Sequence, residues 1–237
     1  MLPLVEPFPV VDTSDEPYRN VVMLAIERDD GTRVRHAGVL INENHVLTSA
    51  HNLLRRAKAG DYRARAISVH GCVANEHGDA PPIEAVHGFY PQAFVAHPLY
   101  PDRCWDVAVL RLAREAGREP FIKPCSVRVG DFPVDPIVLG YPRARQYRMV
   151  RLRSTLVTSD YDDRLFYCPG ANQTASSGSP LIDTHTTPTR LYGVLGGDDD
   201  DAGTDRSGIF FGKASLTFVR TALYLPETPG QFLTAVD

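Results

Sequence analysis

The chain has 237 residues, 43% of them apolar and 23% charged, enough to bury a core without relying on disulfide or metal staples. Its formal net charge of −4 argues against nucleic acid as a partner. No apolar run reaches the length of a membrane span, so no membrane partner is expected either.

Residues 21–27, 34–41 and 45–49 read as strands, divided by the turn signals Asp29-Asp30-Gly31 and Asn42-Glu43-Asn44. Residues 52–56 could form one helical turn. Further strands are expected at 62–70, 107–112, 137–141, 147–159, 165–168, 179–183, 191–196 and 209–214. The spacing of Phe218, Ala222 and Leu223 ahead of the breaker Pro226 predicts a C-terminal helix over 216–225. Many short strands between turn signals imply an all-β barrel or sandwich. The segment 114–131, rich in charge, proline and glycine, reads as a connector between two lobes.

Three short segments carry the chemistry: Val46-Leu47-Thr48-Ser49-Ala50-His51, Trp105-Asp106-Val107-Ala108-Val109-Leu110 and Ser176-Ser177-Gly178-Ser179-Pro180. A serine hydroxyl is a poor nucleophile at neutral pH. It becomes reactive when an imidazole takes its proton, a carboxylate holds that imidazole in one tautomer, and backbone N–H groups receive the oxyanion. His51 stands at a strand end, and Asp106 opens an alternating, half-buried strand. Ser177 lies among small residues that allow tight backbone turns. Asp102, beside Arg103 and Cys104, reads as solvated and is the weaker orienting acid.

These segments resemble those of the trypsin-like (chymotrypsin-fold) serine peptidases, and among them the bacterial glutamyl-endopeptidase branch. Thr48-Ser49-Ala50-His51 is similar to the family's Thr-Ala-Ala-His, Asp106-Val107-Ala108-Val109-Leu110 to its Asp-Ile-Ala-Leu-Leu, and Ser177-Gly178-Ser179-Pro180 to the branch's Ser-Gly-Ser-Pro. Gly38-Val39-Leu40-Ile41, Ala96-His97-Pro98-Leu99-Tyr100 and Leu139-Gly140-Tyr141-Pro142 add to the likeness. The resemblance implies two six-stranded antiparallel β-barrels and a C-terminal helix, forming one peptidase domain over 1–237. Within it the N-terminal barrel would span about 18–113, the connector 114–131, the C-terminal barrel about 132–214 and the helix about 215–225.

The resemblance also implies roles. His51 is general base and then acid, Asp106 the orienting acid, Ser177 the nucleophile, and the N–H groups of Ala175 and Ser177 the oxyanion donors. Asn172, Leu195, Gly196 and Gly197 correspond to the primary pocket. Two departures matter. Ala175 replaces a glycine of the family, and if that loop needs a glycine-only conformation the methyl group would cost about 1–3 kcal/mol of strain. Leu195 replaces the histidine with which the branch reads acidic side chains, and Ala171 the aspartate that reads basic ones, so a neutral or medium-sized side chain is expected.

The expected activity is serine endopeptidase, with polypeptide as substrate and neither cofactor nor metal. The competing expectation is a catalytically silent module of the same fold that binds a protein partner, which also leaves room for a regulatory protein partner. The acidic run Asp198-Asp199-Asp200-Asp201 reads as a solvated loop, and Arg143, Arg145, Arg148, Arg151 and Arg153 as one solvated strand face. Cys72, Cys104, Cys125 and Cys168 cannot be paired from sequence. The start Met1-Leu2-Pro3-Leu4-Val5-Glu6-Pro7 lacks the pattern of a signal peptide, which favours a cytoplasmic location unless a leader was trimmed. No Ile-Val-Gly-Gly-like site near residue 20 supports activation by zymogen cleavage.

Overall fold

The computed structural model describes residues 8–10, 16–55, 62–71, 81–96, 105–116, 120–126, 136–143, 146–153, 157–158, 165–169, 176–198 and 205–237. Alternation along the strand Val21–Arg28 explains how two cores share one wall. Val22, Leu24 and Ile26 enter an apolar cluster with Leu40, Val46, Ile67, Val69 and Leu110. Val21 and Met23, on the opposite face, join Val39, Leu47 and Val109 in a second cluster with Ile137, Leu139, Tyr141, Ile182, Val194 and Phe211. Each fully buried apolar side chain contributes about 1.5–3 kcal/mol, so both faces of this strand stabilise the packing of the lobes.

The first lobe is a closed antiparallel barrel. Its strands run Ile83–Pro91, Ala108–Leu112, His45–Thr48, Arg33–Asn42, Val21–Arg28 and Tyr62–His70, and Ser68 pairs back onto Glu84 to close the ring. The turn after Val21–Arg28 forms as its residues dictate. Gly31 takes φ +82°, and Asp30 Oδ1 accepts hydrogen bonds from Thr32 N at 2.8 Å and Thr32 Oγ1 at 2.6 Å. Those bonds to Thr32 hold the Asp30 carboxyl below the usual carboxylate range.

The second lobe is a nine-stranded sheet whose main path is Phe8–Pro9, Val150–Arg153, Ile137–Gly140, Pro180–Asp183, Arg190–Asp198, Asp205–Phe210, Leu165–Pro169 and Val157–Thr158, with Lys123–Pro124 alongside Arg190–Asp198. The C-terminal helix Lys213–Tyr224 buries Ser215, Phe218, Val219 and Ala222. It starts earlier than the spacing predicts, because the preceding strand ends at Phe210 and Gly212 takes the N-cap position. The chain then returns to the first barrel, where Leu233–Val236 pairs in parallel with Ile83–Pro91. No helix among the described residues is long and apolar enough to cross a membrane.

Two local expectations change, and one strand escapes them. The helical turn expected at 52–56 falls instead at Ala50–Asn52, as a short 3-10 turn, and Leu54–Arg55 pairs as a strand. Of the strand expected over 147–159, the described residues form Val150–Arg153 and Val157–Thr158, and it starts late because Gln146 and Tyr147 adopt φ of 55° and 60°. The strand Ile83–Pro91 is not legible in advance, because a register shift between Ala85 and His87 breaks its alternation.

A half-buried polar group fastens the C-terminal segment to the barrel. Arg111 donates through Nη2 to the Leu225 carbonyl at 2.6 Å and through Nε to His45 Nε2 at 3.3 Å. His45 Nδ1 meets Asn42 Oδ1 at 3.0 Å, so the ring fits as a neutral imidazole with its proton on Nδ1. Burial, reinforced by the charge of Arg111, pushes the His45 pKa down to about 4. His87, which meets Thr234 Oγ1 at 2.8 Å, is lowered first by burial, with Glu227 opposing and Arg111 adding to the shift.

Below the ordinary histidine value of 6.5 the unfolded chain binds a proton at residue 45 that the folded chain refuses until about pH 4. Stability from this group is therefore full above pH 6.5 and falls as pH drops toward 4, by at most about 1.4 kcal/mol per pH unit. Urea unfolding across that window should show a steep acid loss in the parent protein and a shallower one in His45→Gln. Equal slopes would contradict the neutral, buried state of this ring.

Candidate active site

Strand register brings the first two candidates together. Thr48 pairs with Ala108 in antiparallel strands, so the chain leaving Thr48 and the chain entering Ala108 meet at one rim of the barrel. The 3-10 turn Ala50–Asn52 then sets His51 over Asp106. Asp106 uses both oxygens: Oδ1 accepts the His51 backbone N–H at 2.9 Å, and Oδ2 lies 2.7 Å from His51 Nδ1. The side chains are 17% and 9% exposed respectively, so the pair is shielded while the ring retains an open edge. The His51 carbonyl accepts from the Tyr62 hydroxyl at 2.8 Å, and the Arg28 guanidinium stacks 3.6 Å from the Tyr62 ring centroid. His36 meets the His51 ring edge-on, with centroids 6.4 Å apart.

Ser177 sits in a turn clamped from both lobes. Its carbonyl accepts the Ala37 N–H at 3.0 Å and Asn52 Nδ2 at 3.2 Å. Gly178, at φ +81°, donates to the Leu195 carbonyl at 2.8 Å. A Cβ there would collide with the Ala37 carbonyl oxygen and with Thr48 Oγ1, so only glycine fits the turn.

The neighbouring serines serve the scaffold. Ser49 Oγ donates to the Leu195 carbonyl at 2.6 Å, Ser179 Oγ accepts the Ser176 N–H at 3.2 Å, and Ser176 Oγ accepts the Tyr141 N–H at 3.4 Å. Among the described residues, no hydrogen bond occupies Ser177 Oγ, and none joins it to His51. Catalytic hydrogen bonds are often long in unliganded proteins and tighten when substrate arrives. What the fold supplies is backbone proximity, because Asn52, the residue after His51, holds the Ser177 carbonyl.

Leu195 is fully buried, and its backbone bonds Ser49, Gly178 and Ser179. Gly196 and Gly197 follow it in the strand Arg190–Asp198. Ala175 and Asn172 lie outside the described residues, as do Cys72 and Cys104, while Cys125 is a free thiol. Among the described residues, no group of three or more His, Cys, Asp or Glu side chains could hold a metal ion. Thr48, Ser49 and Asn52 are buried polar partners that the motif reading passes over. Their one visible signal is polar side chains crowded at the end of an otherwise apolar strand.

The same fold appears in solved proteases at low sequence identity. A Glu endopeptidase matches with a TM-score of 0.71 at 19% identity, covering 91% of this chain and 95% of its own. The protease Anisep from Arthrobacter nicotinovorans gives 0.69 at 13%, covering 92% and 99%. HL collagenase gives 0.70 at 14%, covering 94% and 100%. A search of curated protein sequences returns no match. The trypsin family model covers residues 11–217, and the chain belongs to the trypsin family. Its general class is therefore a peptidase hydrolase, with polypeptide as the substrate class.

Proposed function

We propose that this trypsin-family protein is a serine endopeptidase working through an acyl-enzyme on Ser177. His51 takes the hydroxyl proton as Ser177 attacks the scissile carbonyl, then returns it to the leaving amine. Asp106 holds the proton on Nδ1, leaving Nε2 as the nitrogen that exchanges it, and stabilises the imidazolium while it exists. The N–H groups of Ala175 and Ser177 receive the oxyanion. The observation that carries this reading is the two-oxygen grip of Asp106 on the backbone N–H and Nδ1 of His51.

In this reading Gly196 and Gly197 flank the primary pocket together with Asn172, and Leu195, which is fully buried, precedes them in the strand. A pocket with an apolar residue at 195 favours neutral side chains before the cut, because a buried carboxylate needs a charged or hydrogen-bonding partner. A peptide library read by mass spectrometry should show cleavage after neutral residues, abolished in Ser177→Ala. The same variant should no longer capture a fluorophosphonate. Well-folded parent protein that neither cleaves nor labels would instead favour a silent binding module.

A further inference from the structure

We infer that Asn52 is a positioning residue for the nucleophile, an inference that rests on the acyl-transfer reading of Ser177. Four residues close a ring of hydrogen bonds across the junction of the lobes. Asn52 Nδ2 donates to Thr48 Oγ1 at 2.9 Å and to the Ser177 carbonyl at 3.2 Å. Thr48 Oγ1 donates to the Ala37 carbonyl at 2.8 Å, and the Ala37 N–H returns to the Ser177 carbonyl at 3.0 Å.

The chemistry fixes which end of the amide faces the serine. A carbonyl oxygen only accepts, so the nitrogen of Asn52 must point to Ser177. Thr48 has already used its proton on Ala37, so it too can only accept from Asn52. Asn52 is fully buried, and its Oδ1 has no partner among the described residues. An unpaired buried acceptor is unfavourable, so no gain for Asn52 as a whole follows from burying the amide. What it does supply is a rigid link between consecutive parts of the site. Asp106 fixes residue 51, and residue 52 fixes the backbone of residue 177. The distance between base and nucleophile is thereby set by two adjacent residues of one short turn.

The test compares fluorophosphonate labelling of the parent protein, Asn52→Leu and Asn52→Asp, with folding followed by circular dichroism. Asn52→Leu keeps comparable bulk and removes both donations. Its limiting labelling rate should fall about 10- to 100-fold, as a misplacement near 1 Å does, with the half-saturating probe concentration within about twofold. The midpoint of its rate-pH profile should stay with the parent's, since the His51 and Asp106 contacts are untouched. In Asn52→Asp the new carboxyl can donate to Ser177 only when protonated. Its rate relative to the parent should therefore rise as pH falls, a signature that general loosening does not produce in protein that remains folded.

A folded Asn52→Leu that labels at the parent rate would overturn the role of Asn52 while leaving the acyl-transfer reading standing. A loss matched by weaker probe binding and a displaced pH midpoint would also overturn it, marking Asn52 as merely structural. Should Asn52→Leu fail to fold, Asn52→Asp decides alone, and a flat rate ratio across pH overturns the role. Absence of labelling in the parent would sink both readings together.

Discussion

Asp106→Asn is expected to lower kcat about ten-thousand-fold with little change in KM or in thermal stability. The size follows from the way Asp106 grips its partner. One oxygen accepts the His51 backbone N–H, an obligatory donor, and the other faces Nδ1. An amide at 106 has a single oxygen, and leaving the backbone N–H without an acceptor is unfavourable, so that oxygen stays on the main chain. The amide nitrogen then faces Nδ1 and donates to it. This forces the imidazole proton onto Nε2, where the ring can no longer accept one from Ser177. Substrate binding does not use this contact, so the loss falls on kcat. Steady-state kinetics on a peptide substrate would check it, and a loss below about tenfold in folded protein would remove Asp106 from its assigned role.

Gly178→Ala should damage both stability and labelling. The turn requires φ +81°, and the added methyl would run into the Ala37 carbonyl oxygen and Thr48 Oγ1, with Asn52 Nδ2 at 3.0 Å. Ala37 belongs to the barrel strand Arg33–Asn42, so its oxygen has little freedom to yield. Backbone strain and overpacking together are expected to cost about 3–5 kcal/mol. For a chain of this size that is a fall in Tm on the order of 10 °C. If the turn escapes by shifting, Ser177 moves with it and fluorophosphonate labelling drops even in the folded fraction. Unchanged Tm with unchanged labelling would contradict the tight seat drawn for this turn.

The parts of the site legible in the sequence are those where residue type and neighbourhood agree. His51 and Asp106 each border a largely apolar strand, and strand register brings them to one rim. Ser177-Gly178-Ser179-Pro180 announces a tight turn, and Gly178 confirms it by its backbone angle. What could not be read is how such segments are tied together. The bonds of Asn52 and Ala37 to Ser177 span more than a hundred positions of chain, and nothing in the local pattern reports a contact so distant. The parallel strand Leu233–Val236 is hidden for the same reason, since its partner lies near residue 90. Boundaries moved where glycine or a left-handed residue intervened, as at Gly212, Gln146 and Tyr147.

A crystal structure of the protein after reaction with a small fluorophosphonate tests the acyl-transfer proposal most directly. Ser49, Ser176 and Ser179 crowd the same junction with their hydroxyls engaged, so the position of the adduct discriminates among them. The expected result is density continuous with Ser177 Oγ, the phosphoryl oxygen facing the Ser177 N–H, and His51 Nε2 within hydrogen-bonding reach of the modified oxygen. An unmodified Ser177, or an adduct from which His51 is turned away while still bound to Asp106, would contradict it.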